Sequence, residues 1–136
     1  MKQKPKYNIK TKKDITEETV LVLYDLPKVS LNHLFARMHW TKRNKLINEC
    51  KWIVRSQTDK KFNLPCTVSY IFTFKSNPLD CSNCAAMIKI LEDILFEDDS
   101  TNVVKSINIR SLKGIKDSVT IIIKSFETCK LIDEIL

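Results

Sequence analysis

Residues 65–75, PCTVSYIFTFK, alternate so regularly that they admit one local structure. A period of two puts Val68, Tyr70, Phe72 and Phe74 on one side of a half-buried strand. Such a strand needs neighbours for its backbone groups and a cover for its apolar side, so this chain must build a sheet. After the break at Pro78 the period lengthens. From about Ser82 to Phe96, the residues Cys84, Met87, Ile88, Leu91, Ile94 and Leu95 form the apolar stripe of a helix. Upstream, TVLVLY (19–24) reads as a strand that Pro27 soon ends. From Thr41, TKRNKLINECKWIVRSQ sets Leu46, Ile47, Cys50, Ile53 and Val54 at helical spacing, with Thr41 in a capping position and Lys42, Lys45 and Arg55 on the opposite face. TDKKFNLP reads as a loop. NVVKSINIRS and SVTIIIKSF read as two more strands, joined by LKGIKD as a hairpin that turns near the only glycine, Gly114. ETCKLIDEIL reads as a short closing helix. The order β-α-β-α-β-β predicts an α/β (α+β) fold, a small mixed sheet of about four strands with two main helices packed on it.

A chain of 136 residues is long enough for one domain with a sizeable core. Residues 1–13 carry six lysines and no acid, and read as a basic, flexible N-terminal arm. Residues 14–136 are expected to form a single domain. No apolar run approaches the roughly 18 residues of a membrane span, and the N-terminus lacks the apolar core of a secretory signal. The expected setting is the cytoplasm, with no membrane partner. Five cysteines, an odd number, do not suggest a secreted disulfide framework. Cys81 and Cys84 form a C-x-x-C, but no second pair accompanies it, so packed thiols near a helix start are the plainer account. The formal net charge of +7 points to a polyanionic partner, nucleic acid by default.

The acids are placed against that trend. Six of the sixteen fall between Asp80 and Asp99 (Asp80, Glu92, Asp93, Glu97, Asp98 and Asp99), with Lys89 the lone base among them. One account is a solvated helix surface followed by a turn. The other is a group of carboxylates gathered around a hard cation such as Mg²⁺ or Mn²⁺, which takes oxygen ligands. Such an ion suits phosphodiester hydrolysis, because it activates water and stabilises charge on the phosphate while a lysine assists. The group can close only if the strand after Asp99 runs beside the one that leads to Asp80.

LPKVSLNHLFARMHWTKRNKL, followed by PLDCSN, KILEDIL and EDDS, resembles the RusA-like Holliday junction resolvases, small endonucleases carried by phages and prophages. LPKVSLN, with Asn32, is similar to that family's Pro-x-Ser-x-Asn entry loop. His39, Trp40 and Arg43 match its His-Trp-x-x-Arg segment. PLDCSN resembles the D-x-D-N motif, and the following helix carries a Lys and then Asp-x-Leu before a closing Asp-Asp. The resemblance runs from about Leu26 to Phe126. It implies Asp80, Lys89 and Asp99 as catalytic residues, and Asp80, Asp93, Asp98 and Asp99 around Mg²⁺ or Mn²⁺. Ser82, Asn83 and Glu92 would support them. Ser82 stands where the family has its second acid, which leaves one fewer anionic ligand, and the stretch from Asn83 to Lys89 is longer than in the best-known form.

The implied activity is paired nicking of four-way junctions or other branched DNA by a homodimer, with no nucleotide cofactor, as a phage protein in the host cytoplasm or at its nucleoid. The DNA contacts would come from Asn32, Arg37, His39, Trp40, Lys42, Arg43 and Lys45. By position alone, Asp80 serves equally as a helix cap or a ligand, and Trp40 reads first as a packing residue. Two other expectations stay open: a DNA-binding protein of weak or absent activity on the same scaffold, and an unrelated basic module, for RNA for example, whose acids are only a helix surface.

Overall fold

The computed structural model describes residues 18–34, 38–97 and 100–125. Four strands and two helices follow the expected order: β1 (Glu18–Tyr24), α1 (Trp40–Arg55), β2 (Cys66–Phe74), α2 (Ala85–Leu95), β3 (Val104–Lys113) and β4 (Ser118–Ser125). A four-residue 3-10 turn, Cys81–Cys84, leads into α2. The basic arm and the expected closing helix lie outside the described residues.

The four strands make one mixed sheet in the order β1-β4-β2-β3. β2 lies in its middle, parallel to β3 and antiparallel to β4, and β1 is antiparallel to β4. Its composition explains that place. Cys66, Val68, Tyr70, Phe72 and Phe74 are all buried and the residues between them are half-buried, so neither side tolerates full exposure. Tyr70, Phe72 and Phe74 stack along one face at centroid distances of 6.2 and 6.0 Å. At about 1.5–3 kcal/mol for each large apolar side chain buried, this face makes a major contribution to folding.

Both helices contribute to a single core with the inward sides of β1, β2 and β4. In α2 only Lys89 and Asp93 are exposed, and a helix that apolar is stable only when covered on nearly all sides. Cys50 and Val54 are the buried residues of α1. Phe62 closes one end, pairing with Phe96 as an isolated bridge with their rings 5.7 Å apart. On the far side of the sheet Val20, Val22 and Tyr24 of β1 are exposed.

Two local expectations are corrected. β3 and β4 do not form a hairpin, because β2 lies between them. The four residues linking them pass over the end of β2, and the Gly114 N–H donates to the Phe74 carbonyl at 2.9 Å. An extended link of four residues reaches about 13 Å, enough to step across one strand as readily as to turn back, so sequence length did not decide between them. The cap of α1 is His39, not Thr41. Its Nδ1 accepts from the Thr41 N–H at 3.3 Å.

Candidate functional site

The parallel pair β2–β3 sets where a site can form, since loops leaving the carboxyl ends of parallel strands gather at one edge of the sheet. Residues 75–80 leave β2 there, and five hydrogen bonds hold them. The Lys75 N–H donates to Asp117 Oδ1 at 2.9 Å, and Lys113 Nζ donates to the Lys75 carbonyl at 2.9 Å. Lys28 Nζ donates to Ser76 Oγ at 3.1 Å and to the Asn77 carbonyl, while lying over the Phe74 ring. Ser111 Oγ donates to the Leu79 carbonyl. The loop therefore delivers Asp80 to a fixed place beside β3.

Asp80 is exposed and precedes the 3-10 turn, yet its side chain makes no capping hydrogen bond. Its backbone does the turning instead: the carbonyl accepts from the N–H groups of Asn83 at 2.9 Å and Cys84 at 3.2 Å. The capping account of this carboxylate thus fails. Ser82 is exposed and Asn83 half-buried on the same turn.

Among the described residues, the other acids of the segment are not gathered around Asp80. β3 runs beside β2, as closure of the group required, but the two are parallel, so β3 starts level with the start of β2 and not with its end. Asp93 is exposed near the far end of α2, about 20 Å along the helix from Asp80. Lys89 is exposed on the same helix. Glu92 is buried, and its carboxylate acts on Tyr70 and Cys66 of β2, so it belongs to the core. Asp98 and Asp99 lie outside the described residues. Among the described residues no three His, Cys, Asp or Glu side chains come together as a metal shell. The oxygen chemistry of Asp80 and Ser82 suits a hard cation, but these residues alone do not complete its coordination.

Sequence reasoning did not select the lysines around this edge. Lys28, Lys75 and Lys113 tether the loop, and Lys116 lies over the Tyr24 ring at 5.8 Å. Tyr24, Asp25, Lys75, Ile115, Lys116 and Asp117 line a cavity of about 250 Å³, with Ile115 93% exposed at its rim. Asp25 lines it with a left-handed backbone, φ 63°, its N–H donating to the Asp117 carbonyl at 3.1 Å. Pairing of β4 with both β1 and β2 brings these residues to the cavity, and no local motif announces it.

The expected DNA-contact residues divide. Asn32, His39, Trp40, Lys42 and Lys45 are exposed. Trp40 is 62% exposed, its ring 5.8 Å from that of His39, so the packing account of it does not hold. Arg43 is half-buried and donates to the Met38 carbonyl at 3.4 Å. Arg55, expected on the basic face of α1, instead donates to the carbonyls of Thr58, Lys60 and Ile94. Arg37 lies outside the described residues. Trp52, 79% exposed, was missed. With Lys45 and Asn48 at helical spacing it forms one outer face of α1, where Asn48, Lys51, Trp52 and Arg55 line a further hollow.

No protein-family model and no curated protein sequence matches the chain. Any functional reading therefore stands on the residues themselves.

Proposed function

We propose that this chain is a divalent-metal-dependent endonuclease acting on branched DNA, four-way junctions above all, as a homodimer. The observation that carries the reading is the uncapped, exposed Asp80, at the end of a loop that five hydrogen bonds hold on an edge rich in lysine. The lysines of this edge attract a phosphodiester, and an exposed carboxylate with no capping role is available to bind a cation. Asp80 would hold the ion, with the Ser82 hydroxyl and water beside it. When bound, the ion lowers the pKa of water and offsets charge on the phosphate. Lys75 and Lys116 bind the backbone, and the outer face of α1, with Lys45, Asn48 and Trp52, extends the contact by charge and by base stacking. Two copies related by two-fold symmetry present identical sites to identical junction arms.

The test is a nicking assay on a synthetic four-way junction and a linear duplex, with Mg²⁺, Mn²⁺ or chelator. Asp80→Asn should lower nicking by orders of magnitude, because lost charge stabilisation costs several kcal/mol, while junction binding without metal stays equal or tightens. Wild-type nicking by Asp80→Asn would sink the proposal. Lys75→Ala and Lys116→Ala should each reduce the salt slope of junction binding by about 0.9 per lost phosphate contact.

A second reading, a junction-binding protein that does not cleave, is favoured by Ser82 in the place of an acid and by the absence of a gathered carboxylate shell among the described residues. Tight, salt-sensitive junction binding with no nicking in either metal, and none gained in Ser82→Asp, would establish it.

A further inference from the structure

We propose that Cys81 and Cys84 are a redox-modification site that closes reversibly to an intramolecular disulfide on the turn after Asp80. The two cysteines are the first and last residues of the 3-10 turn Cys81–Cys84. In that geometry residues three apart eclipse one another, and their Cα atoms stand about 6 Å apart, within the span a disulfide bridges. Their exposures divide the labour. Cys81 is exposed, its Sγ 3.7 Å from the Ile109 carbonyl, and Cys84 is buried. The Cys84 thiol, which burial pushes up, lies beside Ser111 and within electrostatic reach of Cys81. Both thiols thus sit over the same short length of β3. The other described cysteines, Cys50 and Cys66, are buried on α1 and β2.

The reaction needs an oxidant, and a small disulfide such as oxidised glutathione supplies it. The accessible Cys81 sulfur attacks one sulfur of that disulfide and releases one glutathione thiol. The Cys84 sulfur then attacks Cys81 Sγ, the mixed disulfide breaks, and the second glutathione thiol leaves. The protein loses two protons and two electrons, and one oxidised glutathione becomes two reduced ones. A dithiol reagent reverses it.

Trypsin gives a direct readout, because cleavage after Lys75 and Lys89 leaves both cysteines in one peptide, residues 76–89. After treatment of the folded full chain with oxidised glutathione, that peptide should be lighter by two hydrogens, refuse alkylation, and recover both thiols with dithiothreitol. Closure should be at least several-fold faster in the folded chain than in urea, since the turn already holds the pair together. The amides of Asn83 and Cys84, which donate to the Asp80 carbonyl, should exchange more slowly in the oxidised form. In Cys81→Ser the peptide should stay reduced and free of adduct. In Cys84→Ser a glutathione adduct should persist at Cys81. Because Cys84 is buried and its variant can lose stability, mapping of the native chain and of Cys81→Ser decides the matter. A lasting adduct at Cys81 in the native chain, a bond between two copies, two thiols still open to alkylation, or closure no faster than in urea would each overturn the proposal.

Discussion

Gly114 shows how one residue can be legible for the wrong reason. A lone glycine between two strand-like runs predicts a hairpin turn, whereas the link it begins steps across β2. Glycine is needed there because of steric crowding. Gly114 has no left-handed backbone, but a Cβ on it would come 2.0 Å from Thr73 Cγ2 as the link passes over β2. Gly114→Ala should therefore destabilise the fold by about 1–3 kcal/mol, read by denaturant unfolding. Thr73→Ser, which removes only the offending methyl, should recover most of that loss in the double variant. Equal losses in the single and double variants would show the methyl to be irrelevant. Asp80 is the opposite case. The sequence made it a candidate by resemblance and left cap and ligand equal, and only the backbone geometry of its turn removes the cap.

Among the elements, those with a strong period were legible: β2 by its alternation, α2 by its stripe, and α1 by Cys50 and Val54. What periodicity cannot report is which strand lies beside which. The β3–β4 link suits a hairpin by length and composition, yet β2, apolar on one face and half-buried on the other, takes the place between them. Glu92 and Asp93 were misplaced through the same gap, since the crossover carries the far end of α2 away from Asp80 and turns Glu92 into the core. Caps are equally non-periodic. His39 accepts from Thr41 at a long 3.3 Å, so a shorter side chain that carries negative charge should serve better. His39→Asp should raise stability by about 0.5–1 kcal/mol, and His39→Ala should lower it by a similar amount. An unchanged unfolding midpoint in both variants would show that this cap contributes nothing.

For the molecule as a whole, the core's thiols set a limit on its alkaline tolerance. Burial, with Glu49 nearby, pushes Cys50 from 9.0 up to about 11, and burial, with Glu92 nearby, does the same for Cys66. Between those values the unfolded thiols have lost their protons while the folded ones keep them, so the unfolded state binds fewer protons and stability falls as pH rises. The contribution is fully present below about pH 9 and lost by about pH 11, on the order of a few kcal/mol for the pair. Tyr70, raised well above its usual value by burial and then by Glu92, acts in the same direction at higher pH. Urea midpoints between pH 8 and 11 should fall, and Cys66→Ala should flatten the decline; a level profile would contradict both. The pairing of β1 with β4 has a further consequence, for a chain still being made. Glu18 is matched with Lys124, so the first described strand waits for the last. A ribosome that has released only the residues before Ser118 presents β1 with no strand to join and β2 with one neighbour in place of two. Completion is a late event, closing a loop of about a hundred residues, and such non-local closure is slow. Nascent chains halted before β4 should stay open to protease throughout β1, and resistance should arrive in one step once residues 118–125 have cleared the exit tunnel.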